Sequence, residues 1–464
     1  LVHGGVRYLR QGNITLVRDA LRERTLLKEN APHLVHDLPF VIPCRSWWQR
    51  FFYGVGLKVY DFLAVGNSFG RSHGLSADQA VKTVPALSKR GLRGGVVYHD
   101  GQFDDARLLI SMVRTAHDAG GCLLNYMEVT DLLRDRDGRL EGVKVIDRES
   151  GVDSTINARA VVNAAGPFCD AIRMMDDDEQ EKMIAPSQGI HLVLPRELFP
   201  GDTAMIVPKT SDGRVIFIIP WHEHAIVGTT DTPIDKATLE PSPQEQEIQF
   251  LLDTAAEYLE RAPKREELLG CFTGIRPLVK GDKSARTASL SRDHVIRVSD
   301  SGLITIAGGK WTTVRKMAED CVDRAAKKFG IDSGPCMTKT LKLHGATTVD
   351  QGNGSRATYG SDLKNIQSLE QEQPELARPL SDSLGITGAQ VVWAVREEMA
   401  RTVEDVLSRR TRALFLDADA AVEMAAEVAR LIAQESDRDE AWCESQVNEF
   451  RLLADHYRPA SLAE

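Results

Sequence analysis

The residues with the clearest potential for chemistry lie where predicted strands run into glycines. Residues 303–307 have the apolar pattern of a buried strand and are followed by Gly-Gly-Lys at 308–310. Two threonines then begin a helical pattern. A helix N-terminus behind glycines gathers free backbone N–H groups and the positive end of the helix dipole, which together bind anions. Because the lysine adds a positive charge, this segment favours an anion or cofactor cradle over an ordinary turn.

A second predicted strand also ends in small residues. Residues 160–163 are rich in β-branched side chains, and Ala164, Ala165 and Gly166 follow them. Small residues allow the backbone to pass close to a bound cofactor. The same pattern also describes a strand that ends at a tight turn, and for an isolated motif that is the favoured interpretation.

Four basic residues stand beside glycine turns or strand ends and could supply charge to an anionic ligand. They are Arg7, Arg276, Lys310 and Arg315. Arginine binds phosphate through paired hydrogen bonds, and lysine binds it as a point charge. Any one of these residues is more often a surface ion-pair partner. Their repeated placement at such turns favours a shared anion site.

His191 lies within an apolar strand pattern at residues 187–194. A lone histidine there is usually a core residue with its hydrogen bonds satisfied. Alternatively, it could take a hydroxyl proton while hydride leaves the same carbon, because its ordinary pKa lies near neutral pH. His222 and His224 flank a predicted hairpin turn, but without a third ligand they do not predict a metal site.

Composition excludes several classes of protein. The net charge of -10 argues against nucleic-acid binding, which needs a basic face. Seven scattered cysteines fit a reducing compartment and neither a disulfide framework nor a zinc site. Residues 45–65 combine aromatic and basic side chains, for which buried packing is the favoured interpretation and a membrane interface is the alternative.

The chain opens on a turn, Leu-Val-His-Gly-Gly, with no strand pattern before it. A dinucleotide-binding domain normally begins with a strand, a glycine-rich turn and a helix. The sequence therefore predicts an α/β domain that lacks its N-terminal part. Further along, residues 204–207, 215–220 and 225–230 predict an antiparallel meander, and residues 387–434 predict helices that face a common core.

Many segments together resemble the FAD-dependent glycerol-3-phosphate dehydrogenase family, and the mitochondrial branch more than the shorter bacterial aerobic enzymes. The resemblance spans nearly the whole chain in family order and is carried by LVHGGVRYL (1–9), the WWQ…GLKVYD region (47–61), VVYHDGQFDDARL (96–108), NYMEV (125–129), VVNAAGPF (161–168), SDGRVIFIIPW (211–221), VGTTDTP (227–233), TGIRPLV (273–279), SGLITIAGGKWTT (301–313) and VEDVLSRRTR (403–412). Two family features have no counterpart: the phosphate-binding glycine turn and the calcium-binding extension of the animal enzymes.

The resemblance implies an α/β + α fold with three parts. A FAD-binding Rossmann-like domain, N-terminally truncated, would comprise 1–44, 99–170 and 300–331. An inserted antiparallel β-sheet substrate domain would comprise 45–98 and 171–299, and a C-terminal α-helical domain 332–464. It also implies peripheral attachment to a membrane (the mitochondrial inner membrane or the bacterial cytoplasmic membrane) and electron transfer to quinone, and it is compatible with a homodimer.

Carried over by position, the resemblance assigns residues to two groups. The residues implied to contact FAD are His3, Gly4, Gly5, Val129, Ala164, Gly166, Gly309, Lys310 and Thr313. The residues implied to surround sn-glycerol 3-phosphate are Arg7, Tyr8, His191, Arg276, Lys310 and Arg315, of which His191, Arg276 and Lys310 form the expected catalytic set. No metal is expected.

The resulting hypothesis is oxidation of sn-glycerol 3-phosphate to dihydroxyacetone phosphate, with His191 as the base. Three alternatives stay open at this point. The chain could be an oxidase that reduces oxygen to hydrogen peroxide, or a non-catalytic fragment unable to hold FAD. It could also be a related amine or amino-acid oxidase, although the basic residues suit phosphate better.

Overall fold

The computed structural model describes residues 1–6, 13–208, 210, 213–280, 294–349, 351–352 and 354–459. The α-helices are α1 (Ile14–Asn30), α2 (Trp47–Leu63), α3 (Ala77–Thr83), α4 (Asp105–Asp118), α5 (Cys169–Asp176), α6 (Glu245–Tyr258), α7 (Val314–Phe329), α8 (Leu363–Glu372), α9 (Gly388–Glu397), α10 (Ala413–Leu416), α11 (Ala418–Ser436) and α12 (Glu440–Ala454). The strands are β1 (His36–Cys44), β2 (His73–Leu75), β3 (Gly94–Gln102), β4 (Met127–Arg134), β5 (Leu140–Asp147), β6 (Asp153–Asn157), β7 (Val162–Asn163), β8 (Ile184–Pro195), β9 (Ala204–Val207), β10 (Ile216–Trp221), β11 (His224–Gly228), β12 (Thr232–Pro233), β13 (Gly270–Val279), β14 (His294–Val298) and β15 (Ile304–Gly308).

A large mixed sheet dominates the described structure. Its strands follow the order β12-β8-β11-β10-β9-β1-β3-β2, and β13 pairs with the other edge of β8. Strands β9, β10 and β11 form the antiparallel meander that the sequence predicts. Strand β1 also belongs to this sheet, where it pairs with β3 and β9. Residues 36–44 therefore lie in the large sheet, although the sequence placed them with the cofactor domain.

Alternation of side chains gives the large sheet two different faces. One face carries Ile190, Leu192 and Leu194 of β8 and packs against the apolar side of α6. The opposite face packs against α1 and α2 where it consists of β1, β3, β9 and β10. Strands β8 and β13 lie beyond the part of this face that α1 and α2 cover. The same face of these two strands is therefore available to the side chains described in the next section.

Two smaller sheets accompany the large one. Strands β4, β5 and β6 form an antiparallel sheet, and β14, β15 and β7 form the other. Within the latter, β15 and β7 run parallel, as expected in an α/β cofactor-binding domain. Helix α7 follows β15 directly.

The C-terminal part is helical, as the sequence predicts. Helices α9 and α11 supply half of the buried residues of a core that also includes residues of α8 and α12. A buried ion pair joins this part to α4: the guanidinium of Arg107 donates two hydrogen bonds of 2.7 Å to the carboxylate of Glu398. These two side chains are only 5% and 0% exposed, so the contact between α4 and the helical part is shielded from water.

Candidate active site

The carboxyl ends of β7 and β15 meet at one edge of the small parallel sheet. Ile304 pairs with Val162, so the residues that follow each strand are neighbours. Gly166, Gly308 and Gly309 all have positive φ values, 54°, 79° and 78°, which favour glycine. A Cβ atom built on Gly166 meets no other atom within 4 Å. The backbone at Gly166 is therefore open, whereas a Cβ on Gly309 would lie 2.4 Å from the Met317 sulfur.

The helix that follows β15 begins without a side-chain cap. A short 3₁₀ turn, Trp311–Thr313, leads into α7, and neither Lys310 nor Thr313 caps the following N–H groups with its side chain. Uncapped N–H groups and the helix dipole make such an end suitable for an anion. Together with the glycine-lined edge, this arrangement fits the phosphates and the flat ring of a dinucleotide cofactor.

The first residues of the chain lie between this helix start and the large sheet. Val2 pairs with Gly101, and the His3 N–H donates to the Thr312 hydroxyl over 3.2 Å. The Gly4 N–H donates to the Asp100 carboxylate over 3.1 Å. A Cβ on Gly4 would lie 2.2 Å from the Tyr60 hydroxyl, so close packing explains this glycine.

Asp100 is the buried residue that anchors this segment. Its carboxylate accepts a hydrogen bond of 2.7 Å from Arg24 and one of 3.1 Å from Tyr60, in addition to that from Gly4. Burial raises the pKa of Asp100, and the hydrogen bonds and the charge of Arg24 oppose that rise. Three segments of chain are thus fixed to β3 at one carboxylate.

His191 and Arg276 lie on the same face of the large sheet. His191 is opposite Phe272 in β13 and opposite Gly228 in β11. Arg276 extends over Gly189, which is two residues from His191 and therefore faces the same side. The structure brings these two predicted site residues together, although 85 positions separate them in the sequence.

Glycines make room for both side chains. A Cβ on Gly228 would lie 2.0 Å from Cδ2 of His191, and one on Gly189 would lie 2.4 Å from an Arg276 nitrogen. Gly274, on the same face between Phe272 and Arg276, would meet nothing within 4 Å. The region above Gly274 is therefore open space flanked by a guanidinium and an imidazole.

Hydrogen bonds at the strand ends hold the guanidinium of Arg276. It donates to the Thr229 hydroxyl over 3.1 Å and to the Gln188 carbonyl over 3.3 Å. The Asp231 carboxylate lies 3.5 Å away and also accepts a hydrogen bond from Ser187. Arg276 is partly exposed, so an anion could reach it from the open side.

The His191 imidazole is held in the neutral form. Its ring stacks on Phe272 with centroids 5.0 Å apart and an interplanar angle of 14°. Burial, followed by the charges of Arg276 and the N-terminal amine, lowers the pKa of His191 to about 3. A neutral imidazole can accept a proton. The pair therefore offers an anion-binding cation beside a proton acceptor.

The remaining predicted residues have different surroundings. Lys310 follows β15, a strand that packs against β13. Arg315 donates to Glu23 over 2.7 and 2.8 Å and to Glu319 over 2.8 Å, so its contacts are those of a structural ion pair. Val129 pairs with Val145 in the β4–β5 sheet. Arg7 and Tyr8 lie outside the described residues. Contact of these residues with substrate or FAD stays a prediction.

Sequence reasoning did not identify two residues that shape the site. Phe272 supports the His191 ring, and Asp231 faces Arg276. Asp231 belongs to the strand-end segment Gly-Thr-Thr-Asp at 228–231, for which a structural role is the more frequent interpretation and a place on the substrate side is the alternative. The useful signal was a set of glycines, at 189, 228 and 274, within otherwise apolar strands, since such glycines often mark a close approach.

Helix α2 corrects another expectation, because buried packing was favoured for residues 45–65. Only Leu57 and Tyr60 of this helix are fully buried. Trp48 is 70% exposed and Phe62 is 76% exposed. The other large exposed apolar residues in and just after α2 are Trp47, Phe51, Phe52, Val55, Val59 and Val65. In the described part of the chain, no helix is long and apolar enough to cross a membrane. Likewise, the described residues contain no cluster of metal-binding side chains.

Comparison with known proteins gives consistent matches along the chain. The FAD dependent oxidoreductase family matches residues 1–315, and the C-terminal domain of alpha-glycerophosphate oxidase matches residues 304–443. The chain is 37% identical to the mitochondrial glycerol-3-phosphate dehydrogenase of Arabidopsis thaliana, over 100% of this chain and 80% of that protein. It is 39% identical to the mitochondrial enzyme of Rattus norvegicus, over 94% of this chain. There the chain spans 64% of the relative's length.

A solved structure agrees with these matches. The glycerol-3-phosphate dehydrogenase of Bacillus halodurans, solved as a complex with FAD, superposes with a TM-score of 0.77 and 29% identity. The alignment covers 95% of this chain and 86% of that one. The curated relatives are named as dehydrogenases, which does not favour the oxidase alternative. With its glycine-lined strand ends and its arginine–histidine pair, the chain belongs to the FAD-dependent glycerol-3-phosphate dehydrogenase family.

Proposed function

We propose that the protein oxidises sn-glycerol 3-phosphate to dihydroxyacetone phosphate with FAD as the cofactor. The observation that supports this most directly is the placement of His191 and Arg276 on one sheet face, beside the open space at Gly274. To oxidise an alcohol that carries a phosphate, an enzyme needs a cation for the phosphate and a proton acceptor for the hydroxyl group. The two groups must be close enough to contact the same small molecule. The Arabidopsis and rat relatives are both named for this substrate.

Arg276 binds the phosphate in this proposal, and Lys310 adds a second positive charge from the end of β15. Charge-assisted hydrogen bonds from guanidinium to phosphate are among the stronger ones in proteins. Anchoring the phosphate fixes the distance of carbon 2 and its hydroxyl from the sheet. Arg276 lies over Gly189, and His191 is two residues further along β8 on the same face. A substrate whose phosphate is bound by Arg276 would therefore place its hydroxyl group near the imidazole.

His191 accepts the hydroxyl proton. Oxidation removes one proton from the oxygen and one hydride from carbon 2, leaving a carbonyl group. When bound, FAD supplies the acceptor for the hydride. Burial lowers the pKa of His191 to about 3, so the imidazole is unprotonated at neutral pH. A pKa this far below the working pH makes it a weak base, and the negative charge of a bound phosphate would raise that pKa towards the range suited to general-base catalysis.

The glycine-lined edge and the helix start hold FAD in this proposal. Gly166 would leave its backbone open to the cofactor, Gly309 provides the left-handed turn before the helix start, Ala164 would leave room beside the cofactor, and the uncapped N–H groups before α7 would bind its phosphates. His3 and Thr313 flank the same helix start. The Bacillus halodurans relative was solved with FAD bound, which supports the same cofactor here.

Substrate specificity tests the proposal. Purified protein supplied with FAD should reduce an artificial acceptor with sn-glycerol 3-phosphate, and much more slowly with glycerol or sn-glycerol 1-phosphate. A visible flavin spectrum after desalting would show that the chain retains the cofactor. Absence of flavin after reconstitution would support the fragment alternative, and equal rates with glycerol would refute phosphate anchoring.

We further propose that α2 attaches the protein to a membrane surface. Its exposed apolar residues recur at positions 48, 51, 55, 59 and 62, a helical stripe. Arg50 and Lys58 lie beside that stripe and suit anionic headgroups. A helix with one apolar face and flanking basic residues lies in the interface instead of crossing it.

Flotation with vesicles tests the membrane contact. Wild-type protein should float with vesicles that contain anionic phospholipid, and a Trp48→Ser, Phe51→Ser, Phe62→Ser variant should remain in the soluble fraction. A control with Leu239→Ser and Leu452→Ser removes two equally exposed apolar side chains elsewhere, 84% and 70% exposed. Loss of flotation in the control, or its retention in the α2 variant, would contradict the assignment.

A membrane surface also makes a quinone the expected electron acceptor. The proposal predicts that the reduced protein transfers electrons to a soluble quinone analogue with little oxygen consumption in its absence. Rapid formation of hydrogen peroxide without quinone would favour the oxidase alternative. A homodimer remains a prediction that light scattering can measure.

A further inference from the structure

A row of aromatic rings leads from the substrate side of the sheet into the helical C-terminal part. His191 stacks on Phe272, and Phe272 also meets Phe415 edge-on, with ring centroids 5.0 Å apart, and Trp221 at 6.4 Å. Phe415 in turn meets Tyr457 at 5.3 Å. The ring that supports the proposed base is therefore itself supported by α10 and by the residues after α12.

A cation braces this row from the side. The Arg412 guanidinium carbon lies 4.2 Å from the Phe415 ring centroid and 5.5 Å from that of Trp221. Arg412 adopts a left-handed backbone conformation, with φ of 65°, just after a π-helical turn at Asp405–Arg410. A non-glycine residue in that conformation is uncommon. The chain thus adopts an unfavourable turn where it presents Arg412 between two rings.

Carboxylates hold the same guanidinium in place. Arg412 lies 3.2 Å from Asp105 and 3.8 Å from Asp104. Asp104 also accepts a 2.9 Å hydrogen bond from the His222 ring, next to Trp221. The pKa of Asp104 is lowered because the charge of Arg412 and the His222 hydrogen bond outweigh its burial. The Asp104 carboxylate therefore stays ionised, and it helps to fix the position of Arg412.

Backbone hydrogen bonds fix the start of β13 to the helical part. The Cys271 N–H donates to the Tyr457 carbonyl over 2.8 Å, and the Ala418 N–H donates to the Leu269 carbonyl over 3.1 Å. Phe272 follows directly. The backbone of Phe272 pairs with His191 in β8, while its ring and the two residues at 269 and 271 contact the C-terminal part.

We infer that Phe272 is a positioning residue for His191, and that the C-terminal helical part sets the geometry of the active site through Phe415 and Arg412. This inference rests on the proposed function, because it treats His191 as the base. Phe272 limits the imidazole on the β13 side, and Gly228 lies beneath it on the β11 side. Removing the phenyl ring allows the imidazole to rotate away from the substrate.

Kinetics of matched variants test the inference. Phe272→Leu and Phe415→Leu should lower kcat by about 10–100-fold, the cost expected for displacing a reacting group by about 1 Å. The KM for sn-glycerol 3-phosphate should change by less than about threefold, since Arg276 is retained. Phe272→Tyr should restore most of kcat. The control is Phe450→Leu, which removes a 2% exposed phenyl ring from the C-terminal core.

A second measurement does not depend on turnover. NMR titration of histidine-labelled protein, with His191 assigned through a His191→Gln variant, reports the pKa of the imidazole. Two charges influence it, Arg276 and the N-terminal amine, and the variants keep both. Phe272→Leu should raise that pKa by about one pH unit or more because water reaches the ring, and Phe450→Leu should leave it unchanged.

The outcomes separate this inference from the proposed function. If wild-type protein oxidises sn-glycerol 3-phosphate but Phe415→Leu matches Phe450→Leu in kcat, the positioning role of the C-terminal part is refuted. The same holds if Phe272→Leu changes only KM. If wild-type protein does not oxidise the substrate at all, the proposed function is wrong. Independently of turnover, an unchanged His191 pKa in Phe272→Leu would refute the positioning role of Phe272.

Discussion

Replacing Gly228 with alanine would test the geometry of His191 by adding a single methyl group. The new Cβ would lie 2.0 Å from Cδ2, 2.5 Å from Nε2 and 2.8 Å from Cγ of the imidazole. Ordinary contact begins near 3.4 Å, so the ring must withdraw by about 1.4 Å. Phe272 already occupies the β13 side of the ring. The imidazole must therefore leave the position from which it reaches the substrate hydroxyl.

A displacement of about 1 Å can cost on the order of 100-fold in rate. We expect Gly228→Ala to lower kcat by about that factor and to leave the KM for sn-glycerol 3-phosphate within about threefold. Steady-state reduction of an artificial acceptor measures both constants. Gly56→Ala is the control, because its Cβ meets nothing within 4 Å. A Gly228→Ala variant with normal kcat would refute His191 as the base in this geometry.

Four further substitutions address other parts of the structure. Arg276→Lys should raise the KM for sn-glycerol 3-phosphate by about 10–100-fold, since a charged hydrogen bond contributes about 1.5–3 kcal/mol. Gly274→Ala should also raise KM, because its methyl group would occupy the space proposed for the substrate. Unchanged KM values in steady-state assays would contradict phosphate anchoring. Glu398→Ala leaves the Arg107 guanidinium buried without its carboxylate and should destabilise the protein by about 3–5 kcal/mol, seen as a lower Tm. Burial, aided by the charge of Arg107, lowers the pKa of His33 to about 4 in the folded protein. Between about pH 6.5 and pH 4, His33 is therefore protonated in the unfolded chain but not in the folded one. The free energy of unfolding consequently falls as the pH drops through this range. His33→Gln should flatten that decline in Tm, and an unchanged slope would contradict it.

Local sequence pattern predicted the elements that are apolar on both faces. The meander at β9–β11 and the strand β15 came out close to their observed bounds, because continuous β-branched runs bounded by turn residues have few other stable conformations. The helices of the C-terminal part were predicted from apolar residues that recur at the helical period. Membership of the large sheet did not follow, since β1 pairs with strands that lie far away in sequence.

The candidate site shows what sequence spacing cannot supply. His191 and Arg276 become neighbours through the register between β8 and β13, which depends on tertiary packing. Arg315 lies five residues after Lys310, yet its guanidinium binds Glu23 on α1. The sequence contains no sign of that partner. Helix α2 was misjudged because an apolar stripe is the same whether protein, lipid or water lies against it.

Asp100 has a consequence for how the molecule assembles. Gly4, Arg24 and Tyr60 come from three separate stretches of chain, and each donates a hydrogen bond to this one carboxylate. Until all three donors have arrived, the ionised acid would sit in an apolar setting with too few partners, a state of high free energy. The start of the chain, the large sheet, α1 and α2 are therefore expected to fold as a single cooperative unit, because a partly folded intermediate gains little stability from any one of them.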